Sequence, residues 1–263
     1  FAERAAELGL SVPETANAAA PEAAHLTKRF ETVFKPIFTS SGKGLRYLKK
    51  GDAPPQDVSA IIQRKVEGRS VAATAICHAG RLIGAACYRP ILEAGSVSIA
   101  FEREREAAPA ITTWIETFIA AEALTGFVSF DFIVDDVGVP YAIECNPRAT
   151  SAVHFFESKS LAAAILAPHK AQTVEAGGAE RQQQFYACLT EFWARIRSRT
   201  ERAAVARALR TCRDVTWRRD DPLPFLTMTP TSWEILRIAI TQGVSLGEAA
   251  TQDIGWFGEA SGD

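Results

Sequence analysis

Hydrophobic and polar positions follow several spacings along this chain, and each spacing predicts a different kind of element. Near the start, apolar residues recur at helical intervals in residues 1–8 and 21–29. They alternate with polar residues in residues 31–38 and 45–50, which predicts two strands joined by the loop TSSGKG. Residues 11–15 contain a proline, which cannot donate to a ladder, so we expect only a short edge strand there.

The rest of the chain continues this mixture of short elements. Residues 71–91 contain two apolar strands joined at the turn HAGR, and residues 107–124 have helical spacing. A hairpin with polar residues in its strands follows at residues 130–148. Beyond it we expect a helix at 152–166, a linker at 169–184, one long helix or a broken pair at 185–212, and a helix at 229–243 with a Thr or Ser cap and Gly243 as its stop.

The predicted hairpin, FDFIVDDVGVPYAIECNPR, carries two carboxylates, an amide and a guanidinium in or beside its strands. Charged groups are costly inside a strand unless they have partners, so these residues need an explanation. Side chains alternate between the two faces of a strand, so Glu144 and Asn146 share one face. The face that Asp131 takes depends on how the hairpin turns.

The length of the turn decides whether the two carboxylates converge. If the turn is the four residues DDVG, Val134 pairs with Val139, and Asp131 lies opposite Ala142 with Glu144 as its diagonal neighbour. Diagonal neighbours are roughly 7–8 Å apart, a distance that two acidic side chains can close onto one small ion. A three-residue turn would reverse the parity and separate the side chains.

Two converging carboxylates repel each other, and a divalent cation removes that repulsion. A ligand set of Asp131, Glu144 and Asn146 contains only oxygen donors, which favours Mg²⁺ or Mn²⁺ over Zn²⁺. Mg²⁺ takes one or two carboxylates and completes its shell with water and phosphate oxygens. Arg148 would then point at the anion that the metal holds.

The alternative interpretation is a surface hairpin whose charges are simply solvated. Asp135 and Asp136, in the predicted turn, fit that interpretation and are given no role. Asp131 does not fit it, because Phe130 and Phe132 flank it on a predicted strand.

Composition limits the classes of protein that the chain can represent. With 263 residues, 47% of them hydrophobic, and a formal net charge of −2, the chain can form one large domain or two smaller ones. The near-neutral balance predicts no general attraction to nucleic acid or to anionic membranes. No apolar run approaches the roughly 18 residues that span a bilayer. Five scattered cysteines without a CxxC pair predict reduced thiols and a cytoplasmic location.

The ordered set Asp131, Glu144, Asn146, Pro147 and Arg148 resembles the ATP-grasp superfamily, and the resemblance extends over residues 1–160. In that family a strand aspartate and an E-x-N-P-R-like motif hold the metal ions of MgATP, and the arginine faces the reacting phosphoryl group. The resemblance implies an α+β ATP-grasp fold in which two α+β lobes grip ATP. It also implies Mg²⁺ or Mn²⁺ on the first three residues.

The upstream segment FKPIFTSSGKG resembles the family's nucleotide-binding lysine and its small phosphate loop. The resemblance implies that Lys35 contacts ATP phosphates, and that Ser40, Ser41, Gly42 and Gly44 let backbone N–H groups approach them. This is not a Walker P-loop, because G-x-x-x-x-G-K-[ST] is absent. Alone, SSGKG would be read as a turn and the lysine as a charge at a strand edge.

The segment IIQRKVEG resembles the family's hinge, whose backbone groups bind adenine. Gln63, Arg64 and Val66 occupy those positions. Ser70 occupies the place of the glutamate that usually holds the ribose hydroxyls, and Glu67 does not match that position.

The resemblance also implies parts that precede residue 1. The family's first nucleotide-binding lysine would lie before this chain, and so would the preceding α/β domain, so we expect an upstream segment. DDPLPF and DIGW resemble the tail of carbamoyl-phosphate-synthase-like proteins. The predicted domains are a small lobe or lid at 1–62, a large lobe with the metal site at 63–178, and a mainly helical extension at 179–263.

The function implied is an ATP-dependent carboxylate ligase that forms carbon–nitrogen bonds. The γ-phosphoryl group would pass to a carboxylate, and an amine would displace phosphate from the acyl phosphate, so the expected partners are small-molecule acids and amines. One alternative is carbamoyl-phosphate-synthase-like phosphorylation of bicarbonate or carbamate, which the tail supports. Another is a nucleotide-binding regulatory module without catalysis, which the serine at position 70 favours.

Overall fold

The structure is a computed structural model, and it describes residues 1–38, 44–94, 97–195, 198–244 and 249. The chain divides into two compact units. The first contains Phe1–Glu14, Val66–Ile91 and Phe101–Arg181; the second contains the described residues of Thr15–Lys65, Leu92–Ala100 and Gln182–Asp263. The predicted domain boundaries at 62 and 178 stay a prediction.

The described part of the chain contains seven helices and eleven strands, and six of the strands follow one another between α2 and α3. The helices are α1 Ala2–Glu7, α2 Pro21–Arg29, α3 Ala108–Ala121, α4 Ser158–Leu166, α5 Phe185–Ala194, α6 Arg199–Thr211 and α7 Leu223–Gln242. The strands are β1 Thr15–Asn17, β2 Thr32–Pro36, β3 Arg46–Leu48, β4 Ala60–Arg64, β5 Arg69–His78, β6 Arg81–Ala94, β7 Val97–Arg103, β8 Gly126–Val134, β9 Pro140–Asn146, β10 Arg181–Gln183 and β11 Arg213–Asp214. The α+β prediction is confirmed.

The larger sheet of the described residues has seven strands in the order β11-β10-β7-β6-β5-β8-β9. Strand β5 pairs antiparallel with β6 and β8, and β8 pairs antiparallel with β9. One face of this sheet is apolar and packs against α3, where Trp114 contacts Phe130 edge-on at a centroid distance of 5.3 Å. Because side chains alternate, the opposite face of β8 carries Ser129 and Asp131.

The second unit contains a four-stranded sheet and a helical part. The sheet has the order β1-β4-β2-β3, and α2 covers one face of it with a core that includes Leu26, Phe34 and Ile62. In the helical part, α5 and α6 pack around Cys188 and Val205. The mainly helical C-terminal extension is therefore confirmed. Within the described residues, none of the helices combines the length and the apolar character that a membrane span requires.

Three strands differ from the sequence-based prediction in position or were not predicted. Strand β1 begins at Thr15, after the proline rather than around it. Strand β7 was not predicted, because Ile99, Ala100 and Phe101 are all buried and the alternation is lost. Strand β10 lies inside the predicted linker at 169–184.

The predicted helices also have different limits in the structure. The helix expected at 152–166 begins as a 3-10 turn, Ser151–Phe155, and α4 starts only after Glu157, whose carboxylate accepts hydrogen bonds from two amides of its first turn. The segment 185–212 is a broken pair rather than one helix. Helix α7 begins at Leu223, since prolines are tolerated in a first turn, and it continues through an internal proline.

Candidate functional site

The β8–β9 hairpin has a different turn from the one that its sequence suggested. The Gly138 N–H donates to the Asp135 C=O at 3.0 Å, and the Asp135 N–H donates to the Val139 C=O at 3.1 Å. Gly138 has a φ of +88°, in the left-handed region. A type I turn followed by a left-handed glycine is a common three-residue connection. Val134 therefore pairs with Pro140, and the predicted partner, Val139, is wrong by one residue.

A β-bulge corrects the parity that this turn would otherwise reverse. Phe132 pairs with Ala142, but the next residue, Asp131, pairs with Glu144, so Ile143 is the extra residue of the bulge. The prediction that Asp131 lies opposite Ala142 is therefore wrong. Instead the two carboxylate residues are direct cross-strand partners, whose Cβ atoms are typically about 4.5–5.5 Å apart.

The candidate metal ligands share the face of the sheet that points away from α3. Asn146 is the cross-strand partner of Ser129, in the row next to Asp131 and Glu144. Its Nδ2 donates to Glu144 Oε1 at 3.0 Å, which leaves the amide oxygen to face a cation. Asp131 and Asn146 are half-buried, and Glu144 is exposed.

The donor set fits a hard cation that is bound together with phosphate. Among the described residues, no group of three His, Cys, Asp or Glu side chains is placed to hold a metal ion. The candidate set instead offers two carboxylates and one amide oxygen. Two is within the one or two protein carboxylates that Mg²⁺ takes when phosphate and water complete its coordination shell.

Cys145 lies between two candidate ligands but takes no part in the site. It pairs with Phe130 and packs against the apolar core. Burial is the main cause that raises the pKa of its thiol to about 11; the carboxylates of Glu144 and Asp131 contribute in the same direction, and the N-terminal ammonium opposes them. The thiol therefore stays protonated at neutral pH, as a structural residue would.

Arg148 follows β9 in a tight segment. Its N–H donates to the Asn146 C=O at 2.8 Å, and its Nη1 donates to the Ala149 C=O at 3.3 Å. The side chain is exposed, on the segment that continues directly from the candidate ligands.

The candidate nucleotide residues of the second unit lie on its four-stranded sheet. Lys35, on β2, donates from Nζ to Gln63 Oε1 at 2.7 Å, and Gln63 Nε2 donates to Thr15 Oγ1 at 3.1 Å. Gln63 is only 3% exposed. Residues 35 and 63 share the face opposite α2, because Phe34 and Ile62 point into the α2 core.

The predicted hinge residues differ in their position relative to the four-stranded sheet. Gln63 pairs with both Thr15 and Val33, so its main chain lies in the middle of the ladder. The Arg64 guanidinium lies over the Phe30 ring, 5.3 Å from its centroid. Val66 lies beyond the end of β4. Sequence reasoning assigned Gln63 a main-chain role and missed its side-chain bond to Lys35, because that contact depends on the pairing of β2 with β4.

The candidate phosphate loop is described only at its end. Ser40, Ser41 and Gly42 lie outside the described residues. Gly44 has a φ of +78°, and a Cβ atom there would lie 3.0 Å from the Pro36 ring. A glycine is therefore favoured at this position on conformational and steric grounds.

The fold of this chain is the ATP-grasp fold. A family model described as an ATP-grasp domain matches residues 1–152, which is more than half of the chain. The chain therefore belongs to the ATP-grasp family. A search of curated protein sequences gave no match.

Solved structures support the same fold. The ATP complex of carboxyaminoimidazole ribonucleotide synthase from Aspergillus clavatus is 12% identical, with a TM-score of 0.52, over 66% of this chain and 52% of that one. The ADP complex of N5-carboxyaminoimidazole synthetase from Staphylococcus aureus is 12% identical, with a TM-score of 0.50, over 59% of this chain and 45% of that one. This chain therefore spans about half of the length of the structures it resembles.

Proposed function

We propose that this chain is the nucleotide- and metal-binding part of an ATP-dependent ligase that joins a carboxylate to an amine through an acyl phosphate. The observation that carries the proposal is the cross-strand pair of Asp131 and Glu144, with Asn146 in the next row of the same face. Two acidic residues directly opposite each other repel, and a divalent cation bound between them would offset that repulsion.

In this proposal Asp131, Glu144 and Asn146 hold Mg²⁺ or Mn²⁺ together with the ATP phosphates. When bound, the metal would neutralise charge on the phosphoryl oxygens. Phosphoryl transfer depends mainly on positioning and on such electrostatic stabilisation, and it needs no protein nucleophile. This agrees with a Cys145 thiol that burial keeps protonated.

The remaining charges of the proposed site are two cations. The Arg148 guanidinium would stabilise the transferring phosphoryl group, for which its planar fork suits two oxygens at once. The Lys35 ammonium would bind ATP phosphates, and the neutral Gln63 amide fixes its position without cancelling its charge. The loop at Ser40, Ser41, Gly42 and Gly44 would cover the phosphates.

The proposed chemistry has two balanced steps. A carboxylate oxygen forms a bond to the γ-phosphorus while the bond between that phosphorus and ADP breaks. The amine nitrogen then attacks the acyl carbon, the carbon–oxygen bond to phosphate breaks, and the nitrogen gives up a proton. Exclusion of water by a closed site would protect the acyl phosphate from hydrolysis.

The adenosine part of ATP would lie along the hinge. We propose that main-chain groups around Val66 bind adenine, because this residue lies past the end of β4 rather than within the ladder. Ser70 is exposed at the start of β5, on the face that also carries Asp131, and this supports the proposal that its hydroxyl contacts ribose. All five cysteines are free thiols, which suits the proposed cytoplasmic location.

The test is ATP-dependent phosphate release by the purified protein with a panel of carboxylates and amines. We expect release only when an acid and an amine are both present, and a coupled product detectable by mass spectrometry. Arg148→Lys should keep ATP affinity and lower the rate, because lysine lacks the bidentate fork. ATP binding without release under any pair would contradict a ligase, and release with bicarbonate alone would indicate carbamoyl-phosphate-synthase-like chemistry instead.

A further inference from the structure

Three hydroxyl side chains beside the candidate metal ligands form one connected series of hydrogen bonds. Thr74 on β5 and Ser129 on β8 are cross-strand partners, 0% and 1% exposed, with their hydroxyl oxygens 2.8 Å apart. The Thr74 oxygen is also 2.8 Å from the Thr150 hydroxyl and accepts the Thr150 N–H at 3.2 Å. Ser129 Oγ donates to the Arg148 C=O at 2.7 Å. We call Thr74, Ser129 and Thr150 the hydroxyl relay.

The carbonyl at one end of the hydroxyl relay determines the direction of its bonds. A carbonyl oxygen only accepts, so the single Ser129 proton goes to Arg148. Ser129 then accepts from Thr74, whose own proton is used in that bond. Thr74 is left to accept from both the amide and the hydroxyl of Thr150. Each of the three hydroxyl protons thus has an acceptor, the condition under which a buried polar network makes its surroundings rigid.

The segment that the hydroxyl relay contacts lies outside the sheet ladder. Residues 147–150 connect β9 to the 3-10 turn at Ser151–Phe155 and pair with no neighbouring strand in the described part of the chain. The hydroxyl relay bonds this segment at the Arg148 carbonyl and at the Thr150 amide. Its other end is in β5 and β8, where Ser129 is the partner of Asn146.

We propose that the hydroxyl relay positions Arg148 relative to Asn146, an inference that rests on the proposed function. None of the three hydroxyl residues is a catalytic residue here, because they act through the main chain of the segment that carries the guanidinium. Their arrangement sets the distance between a candidate metal ligand and the cation proposed to face the phosphoryl group. A displacement of about 1 Å at such a group can lower a rate ~100-fold.

The matched variants are Thr74→Val and Thr74→Ser. Valine keeps the shape of threonine but removes the hydroxyl, whereas serine keeps the hydroxyl and removes the methyl group. We expect Thr74→Val to lower kcat about 10- to 100-fold with KM for ATP within about twofold of the original, and Thr74→Ser to stay within about threefold in kcat. Ser129→Ala provides a second variant, with the same expected split, should Thr74→Val fold poorly.

A double-mutant cycle separates positioning from a general loss of stability. If the hydroxyl relay acts through Arg148, Thr74→Val should lower single-turnover phosphoryl transfer little further in an Arg148→Ala background. Losses that multiply would overturn the inference, and so would equal kcat values for Thr74→Val and Thr74→Ser.

The outcome for the unmodified protein distinguishes the two proposals. If it releases phosphate and only the relay variants behave otherwise than expected, the inference fails and the proposed function stands. If it releases none, the proposed function fails, and amide hydrogen exchange at residues 148–150 decides about the hydroxyl relay. Faster exchange in Thr74→Val than in Thr74→Ser supports the positioning of this segment, and equal exchange overturns it.

Discussion

The β8–β9 hairpin and the β2–β4 pair both present charged groups from a sheet, but they hold them in opposite ways. On β2, the Lys35 ammonium is bound by a neutral amide, Gln63, that is almost fully buried. On the hairpin, Asp131 and Glu144 lie directly opposite each other with the same charge. Opposite charges stabilise a directly opposed cross-strand pair, and like charges destabilise it.

The difference suggests which charged groups of the proposed site are held in position before a ligand binds. The lysine has its position set by a side chain of the same sheet, which would lower the cost of ordering it when an anion binds. The hairpin instead concentrates negative charge that a cation would offset. Neutralising a carboxylate of the hairpin should therefore weaken the binding of metal and ATP without lowering the stability of the metal-free protein. We do not expect this opposition at the β2–β4 pair.

The largest effect is expected from Asp131→Asn and Glu144→Gln. Each should lower MgATP-dependent phosphate release by about 10²- to 10³-fold, because each removes a charge that is proposed to hold the metal. In the absence of metal, Glu144→Gln should unfold at the same temperature as the original protein or at a higher one, since like-charge repulsion is reduced. The stabilisation that Mg²⁺ and ATP give the original protein in thermal unfolding should disappear.

Asp136→Asn is the matched control for these variants. It makes the same change of charge at an exposed turn position of the same hairpin. It should leave both phosphate release and the Mg²⁺-dependent stabilisation unchanged. If it lowers them as strongly as Asp131→Asn does, the effect comes from the net charge of the hairpin and not from a metal site.

The next effect concerns the bulge, and it is tested by two single-residue deletions in β9. Deleting Ile143 removes the extra residue and leaves Glu144 opposite Asp131 in an uninterrupted ladder. Phosphate release should then fall by no more than about tenfold. Deleting Cys145 shifts Asn146 to the opposite face, because side chains alternate, and should lower release by about 100-fold or more. Equal activities for the two deletions would argue against the assigned faces.

These deletions also mark where sequence reasoning succeeded and where it could not. The order of the motif residues is read directly from the sequence. The shared face of Glu144 and Asn146 follows from the alternation of side chains along one strand. The pairing of Asp131 does not, because it depends on a left-handed Gly138 in the turn and on a bulge at Ile143. Isoleucine is common in regular strands, so the residue type at position 143 gives no sign of a bulge.

The same limit applies to the contacts between strands. Lys35 was correctly placed on a strand, but its bond to Gln63 depends on the register of β2 with β4. The hydroxyl relay likewise joins Thr74 to Thr150, which are far apart in the sequence. Its only local signal is a polar residue inside the apolar run VAATAIC, and threonine is common in strands.

The smallest effect is expected at Gln63, where position and charge can be separated. Gln63→Leu removes the acceptor for Lys35 and should raise the Kd for ATP by about three- to tenfold, since the ammonium is no longer held in place. Gln63→Glu keeps an acceptor but adds a negative charge beside the ammonium. If Lys35 contacts phosphate, the glutamate variant should bind ATP more weakly than the leucine variant, because its charge opposes the anion.

The control for this last pair is Thr15→Val, which removes the hydroxyl that Gln63 Nε2 contacts and leaves the bond to Lys35. It should change the Kd by less than Gln63→Leu does. Isothermal titration with ATP, together with thermal unfolding of each variant, measures both quantities. Glutamate and leucine variants that bind ATP equally well would remove Lys35 from the nucleotide site. The buried Gln63 amide would then be only a structural partner of the lysine, and it would not position the ammonium for binding an anion.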